Sequence, residues 1–283
     1  MKIPATFDEQ IEILNNLWFI IDNKEQAKKY LKHIGFYRFS YYMNYFLENY
    51  NWEDKSFDNI LKYYIFDRKI KLIFSDIIER IEISIKANII NTLSLEYNDS
   101  IFFLKEEIYL NEEKFNWIKT SLELEKNKNK SLNDINLSQI DSWKLFQWLT
   151  LWTTTFFYNS LNTQNQKNIA NNYDLTNATL SSWLLWLTDI RNICAHYDKL
   201  WWTKLVRYLS FKHPKLKKLN IETNSIFAYI LVMHIFLKEI WIDSHFLDKI
   251  DDLFNEEEYK FINKEKMWFS KDWKEKINSI ILN

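Results

Sequence analysis

The sequence predicts an all-α protein, a helical bundle with an N-terminal helical extension. Three observations carry that prediction. Glycine and proline, the strongest helix breakers, are nearly missing: the chain has one glycine, Gly35, and two prolines, where ordinary usage of ~7 % would supply about 20 glycines. Apolar residues recur at helical spacing through most of the chain. Side chains able to cap a helix stand where those periodic runs begin.

Taken in order, Phe7 to Ile20 carries Ile11, Leu14 and Leu17 on one stripe, with Thr6 and Glu9 spaced as a capping box. A second helix runs from about Asn23 to Ile34 and stops at Gly35. Phe36 to Tyr50 is dense in aromatics and resembles a strand, but Phe39, Tyr42 and Phe46 fall at i, i+3 and i+7, which favours helix. Phe57 to Leu95 is the strongest amphipathic segment, with Ile60, Tyr64, Phe66, Ile70, Ile73, Phe74, Ile77, Ile81, Ile85 and Ile89 near one stripe. Residues 105–140 read as an irregular insert, because Glu125-Lys126-Asn127-Lys128-Asn129-Lys130-Ser131 lacks an apolar stripe. Helical patterning returns at 143–161, 178–195, 224–242 and about 271–282. Residues 1–55 thus form an N-terminal helical region and 56–283 a helical core; one continuous domain is the alternative.

The balance of 37 Lys+Arg against 38 Asp+Glu removes the simplest case for a blanket nucleic-acid or anionic-membrane binder. A single cysteine, Cys194, cannot form an intramolecular disulfide framework or a cysteine-rich zinc site, and fits a reducing compartment. The five histidines show no metal spacing with cysteine or carboxylates, and one glycine forbids a glycine-rich phosphate loop; no metal or cofactor is expected. The longest apolar stretch, Ile226 to Leu237, falls short of the roughly 20 residues that span a membrane. With no signal peptide visible, the expectation is a soluble, cytoplasmic protein.

The residues with chemical potential are Arg191-Asn192-Ile193-Cys194-Ala195-His196, at the end of an amphipathic run from Leu180. Asn192 and His196 are i,i+4 neighbours. At ~100° per residue, Arg191 and His196 stand about 140° apart on a regular helix. Two copies packed together would bring four such groups to one cleft, which makes a homodimer chemically sensible. Imidazole titrates near neutrality and can move a proton, while guanidinium clamps a phosphate in a planar fork. Such a pair suits metal-free RNA cleavage, in which a 2′-hydroxyl attacks the adjacent phosphorus. The plainer reading pairs Arg191 with Asp189 or Asp198 and makes His196 a helix C-cap. Cys194 fits a packing residue better than a nucleophile. Lys212, His213, Lys215, Lys217 and Lys218 form a basic patch, either a solvated turn or a contact for an RNA backbone.

The string Arg191-Asn192-x-Cys194-Ala195-His196-Tyr197-x-x-Leu200-Trp201 resembles the C-terminal signature of the Abi family of abortive-infection proteins. Thr6 to Ile11, Leu31-x-x-Ile34-Gly35-Phe36-Tyr37-Arg38, Asp67-Arg68 through Glu82, and Met267-x-Phe269-x-x-x-Trp273 resemble further family segments. The resemblance implies a HEPN-type helical fold, a cytoplasmic homodimer and phage defence by an endoribonuclease. Arg191 and His196 would be catalytic and Asn192 positioning, with RNA as substrate and a small RNA or protein antitoxin as restraint. Arg38 and Arg80 become candidate RNA contacts. The structural alternative places Tyr37 in the core and pairs Arg38 with Glu82 as a buried or interface ion pair. The runner-up function is a non-catalytic RNA-binding or interaction scaffold, and a third reading makes Tyr197 an acceptor for nucleotide transfer by a partner.

The thirteen tryptophans are an oddity. Trp18, Trp152 and Trp268 stand where the resembled family carries glycine, the sterically least interchangeable residue. One cause would explain surplus tryptophan and missing glycine together: UGA codons that the source reads as glycine. Trp143, Trp183, Trp201 and Trp273 fall at aromatic positions of the resembled family.

Overall fold

The computed structural model describes residues 4–49, 55–201, 203–205, 207, 221–241, 245–267 and 269–282. Among them are twelve α-helices and no strands. These are α1 (Phe7–Asn16), α2 (Lys24–Ile34), α3 (Phe36–Asn49), α4 (Phe57–Tyr97), α5 (Glu112–Lys128), α6 (Ser142–Phe146), α7 (Leu151–Ser160), α8 (Thr163–Asn171), α9 (Asn177–Ala195), α10 (Ile226–Glu239), α11 (Phe246–Asn255) and α12 (Trp273–Leu282).

The 41 residues of α4 make a rod about 60 Å long. Ser56 caps its first turn, and Asn98 ends it in the left-handed conformation that asparagine tolerates. Of the predicted stripe, all but Tyr64 and Ile73 are buried. That buried stripe sorts the neighbours: α3, α6, α7, α8, α9, α10 and α11 all pack against α4. Around it one apolar cluster runs from Ile11 and Leu14 through Phe66 and Trp201 to Ile277. The N-terminal helices join the rod through a clasp in which Ile20 N–H donates to the Lys55 carbonyl and Phe57 N–H to the Ile20 carbonyl, each 2.9 Å.

Where structure and pattern differ, local chemistry explains the difference. Residues 105–140 are not irregular throughout, since 112–128 is helix. Asn111 caps α5, which buries Ile118 and Leu122, and the polar run continues the helix as far as Lys128, where Lys126 and Lys128 pair with Glu123 and Glu125. The ammonium of Lys126 also donates to the Ile135 carbonyl, 2.9 Å, so a charge replaces an apolar residue at a buried position. The helical stretch 143–161 is two helices, with a break before the Thr150 cap of α7.

The first helix stops at Asn16, four residues before Ile20. Phe19 N–H bonds to the Leu14 carbonyl and Trp18 N–H to the Asn15 carbonyl, the pairing of a Schellman turn. Trp18 occupies its left-handed position at φ 66° and is 80 % exposed. Trp241 does the same after α10, at φ 57° and 94 % exposed. These are positions that favour glycine, and neither indole packs into the core. Trp152 differs: it lies in the first turn of α7, outside the left-handed set. Trp183, Trp201 and Trp273 are buried, whereas Trp143 is exposed; Trp268 lies outside the described residues.

Trp18→Gly and Trp241→Gly are each expected to stabilise the protein by about 0.5–1 kcal/mol, and Trp152→Gly to destabilise it by a similar amount. Calorimetric melting of the three variants checks this, with shifts of about 1–4 °C. If the source reads these codons as glycine, the intact mass of the natural protein will fall below that of the thirteen-tryptophan chain; a matching mass refutes recoding.

A second prediction concerns His234 on α10. Burial first, and the Lys238 charge next, hold its imidazole down at about 4, against a hydrogen bond to the Asn278 side chain that favours the charged ring. The unfolded chain takes up this proton near pH 6.5, the folded chain only near pH 4. Stability therefore falls as pH drops through that window, by up to about 3 kcal/mol from this group. Denaturant unfolding of the wild type and His234→Gln between pH 4 and 8 should show the variant lacking that part of the slope.

Candidate functional site

The R-x4-H segment closes α9. Thr176 caps the start of this helix, and Trp183, Leu184, Leu187 and Ile190 bury its inner face. Arg191, Asn192, Ala195 and His196 are exposed at its end, while Ile193 and Cys194 pack partly into the core. The helix ends at Ala195, with His196 as C-cap; its N–H reaches the Asn192 carbonyl at 2.9 Å. Asp198 N–H bonds to the Ile193 carbonyl at 3.1 Å, closing a Schellman turn around Tyr197 at φ 60°. A tyrosine held left-handed costs about 1–2 kcal/mol relative to a relaxed backbone, so something must fix the turn.

What fixes it is Asp67 of α4, which the structure buries completely. One carboxylate oxygen accepts from the backbone N–H of Leu200 (3.0 Å) and of Trp201 (2.6 Å). The other accepts from the Tyr42 hydroxyl (2.7 Å) and lies 3.0 Å from the Lys71 ammonium. Lys71 in turn donates to the Asp198 carbonyl, 2.9 Å. Four donors thus satisfy a buried anion whose desolvation would otherwise be prohibitive. Burial, together with the Asp67 charge, drives the Tyr42 phenol far above its ordinary range, so it serves as a donor. The indole of Trp201 anchors the end of the loop edge-on against Phe66, at 4.9 Å, and stacked with Phe269.

Neighbouring charges are committed elsewhere. Asp189 pairs with Arg207 at 2.7 Å, not with Arg191; among the described residues no carboxylate pairs with Arg191. Arg80 holds Asp76, 3.1 Å, which also meets Lys249 of α11; nothing joins Arg80 to residues 191–197. Glu82 pairs with Lys86 at 2.6 Å, so the expected Arg38–Glu82 pair does not form within the chain. Arg38 instead places its guanidinium 5.3 Å from the centre of the Tyr197 ring, which brings α3 to the motif. Tyr37, expected in the core, is 75 % exposed, because it falls opposite the Phe39, Tyr42 and Phe46 stripe. Burial pushes the Cys194 thiol up to about 12, so it is no thiolate near neutrality. Lys212, Lys215, Lys217 and Lys218 lie outside the described residues.

The patterning missed Asp67, Lys71 and Tyr42 as site residues. The signal was present: Asp67 and Lys71 fall on the stripe of Phe66, Ile70 and Phe74, where an ion on an otherwise apolar face requires a partner. Among the described residues no group of three or more His, Cys, Asp or Glu side chains gathers as a metal site would need. No helix among them is long and apolar enough to cross a membrane.

An all-α scaffold with an exposed Arg-Asn-x-x-x-His helix end, tied to a buried carboxylate, defines the class. The family of Abi-like proteins matches residues 29–202, more than half of the chain, and the chain belongs to that family. No curated protein and no solved structure matches it. The matched span takes in Tyr42, Asp67, Lys71 and the whole segment from Arg191 to Trp201. Membership suggests a part in abortive-infection phage defence.

Asp67→Ala is expected to destabilise the fold by about 3–5 kcal/mol, since it strands the Lys71 ammonium and two buried N–H groups. Asp67→Asn keeps the volume and one acceptor, and should cost less. Urea unfolding measures both, and hydrogen exchange at the Leu200 and Trp201 amides should rise in either variant ahead of global opening.

Proposed function

We propose that the protein is a metal-independent endoribonuclease of phage defence, built on a HEPN-type scaffold and acting from the cytoplasm. The observation that carries this reading is the helix end itself: Arg191 and His196 are exposed, while the turn that follows them is held by a buried ion network. Surface charge next to an over-determined backbone is the arrangement of a preorganised site.

In the proposed reaction His196 accepts the proton of a ribose 2′-hydroxyl as its oxygen attacks the adjacent phosphorus. The O2′–P bond forms and the P–O5′ bond breaks. A second, protonated imidazole returns a proton to the departing 5′-oxygen, which leaves a 2′,3′-cyclic phosphate and a 5′-hydroxyl. Arg191 offers its planar fork to the charge on the phosphoryl oxygens, and Asn192 positions the imidazole or the phosphate by hydrogen bonding. A regular helix separates Arg191 from His196 by about 140°, so the second imidazole comes most simply from another copy of the chain in a homodimer. As a toxin, such an enzyme needs a restraint, for which a small RNA or a protein antitoxin is the natural form.

Incubating labelled tRNA or total cellular RNA with the wild type in EDTA should give cyclic-phosphate ends. Arg191→Ala and His196→Ala should each lose at least about 100-fold in rate while keeping their melting temperature. No cutting by a folded dimer under any RNA supplied would favour the RNA-binding scaffold, and cutting retained by both variants would place the chemistry elsewhere.

A further inference from the structure

Beside the helix end lies a cluster of exposed rings that the cleavage chemistry does not use. The Tyr37 and Tyr41 rings, one turn apart on α3, stand edge to face with centres 5.0 Å apart, and the Tyr41 hydroxyl donates to that of Tyr37 at 2.6 Å. Their exposures are 75 % and 44 %, and Tyr197 is 65 % exposed. Arg38, between the two α3 tyrosines in sequence, carries its guanidinium over the Tyr197 ring. The Asp198 charge reaches Tyr41, where it adds to the Tyr37 hydrogen bond in raising that phenol. Through Arg38, the exposed Tyr37–Tyr41 pair of α3 is thus brought alongside Tyr197, with His196 the residue before it.

We infer that this surface is a base-stacking platform for single-stranded RNA, which seats unpaired nucleotides beside the Arg191–His196 site. The inference rests on the ribonuclease reading and adds the substrate class to it. Tyrosine faces and guanidinium planes accept any base through its π-face, but only a base that is out of a duplex. The charges set which side of the bound strand faces the rings. Arg38 and Arg191 attract phosphates, whereas Asp198 repels them, so bases rest on the tyrosines and the backbone runs toward the arginines. An unpaired linkage is also what the chemistry requires, because the 2′-oxygen must swing into line with the leaving oxygen and duplex geometry prevents it. The rings are tied to the site mechanically as well: Tyr197 belongs to the same Schellman turn as His196, and Tyr42, next to Tyr41, bonds to Asp67.

The test uses the full chain and a 2′-O-methyl oligoribonucleotide, which lacks the attacking hydroxyl and reads binding alone. Fluorescence anisotropy compares it as a single strand and annealed to its complement. Tyr37→Leu, Arg38→Ala and Tyr197→Asn, the last chosen because asparagine tolerates the left-handed position, should each weaken single-strand binding about tenfold and leave duplex binding unchanged. Tyr37→Phe should bind as the wild type does. Unchanged single-strand affinity in folded Tyr37→Leu and Tyr197→Asn overturns the platform, as does equal affinity of the wild type for duplex, or no single-strand binding at all. Conversion of a dimer to a monomer by Tyr37→Leu in sedimentation also overturns it, because the rings would then be a contact between copies. Tyrosine-dependent binding by a wild type that cuts no RNA would leave the platform standing and remove the ribonuclease reading instead.

Discussion

A single buried carboxylate sets the geometry on which the rest of this molecule depends. Asp67 accepts two backbone N–H groups from the loop after α9, one phenol from α3 and the ammonium of Lys71. It thereby joins three parts of the chain far apart in sequence at one point. An apolar contact of equal area would also hold these parts together, but apolar contacts slide and carry no direction. Hydrogen bonds to a fixed anion specify register. The loop can sit in only one position along α4, and the end of α9 with it.

The long rod of α4 makes that specification possible. Its stripe from Ile60 to Leu93 is buried almost without interruption, which fixes the rod against α3, α9, α10 and α11. Polar groups along the flanks then saturate each other locally: Arg80 with Asp76, Glu82 with Lys86, and Asp189 of α9 with Arg207. Asp189, two residues before Arg191, is thereby engaged by Arg207, and among the described residues no carboxylate pairs with the exposed Arg191.

Much of this was legible in the sequence, for identifiable reasons. Helical periodicity is strong where one face is fully buried, as in Phe39, Tyr42 and Phe46 or along α4, and the scarcity of breakers extends it. The Thr6–Glu9 box and Gly35 marked helix ends because their signals are local. What escaped was non-local. The segment 105–140 read as irregular because Lys126 fills a buried position by donating to a carbonyl nine residues away. Tyr37 read as core because an aromatic residue in an aromatic run carries no mark of which face it takes. The Asp67 network could be suspected from an ion on an apolar stripe, but its partners at Leu200 and Trp201 lie more than 130 residues along the chain.

Three helices, α1, α9 and α10, end with an aromatic residue in the left-handed conformation: Trp18, Tyr197 and Trp241. The backbone problem is the same in each, and the surroundings are not. The rings of Trp18 and Trp241 are 80 % and 94 % exposed, and among the described residues their turns show backbone hydrogen bonds only, where glycine would serve better. The turn at Tyr197 has the Asp67 and Lys71 network on its inner side and the Arg38 guanidinium over its ring. Strain that nothing opposes is what a substitution unsuited to its site leaves behind. Strain held from both sides, next to an exposed arginine and histidine, is what preorganisation requires. That contrast within one chain sets the end of α9 apart from the other two, and it is the reason the proposed chemistry is assigned there.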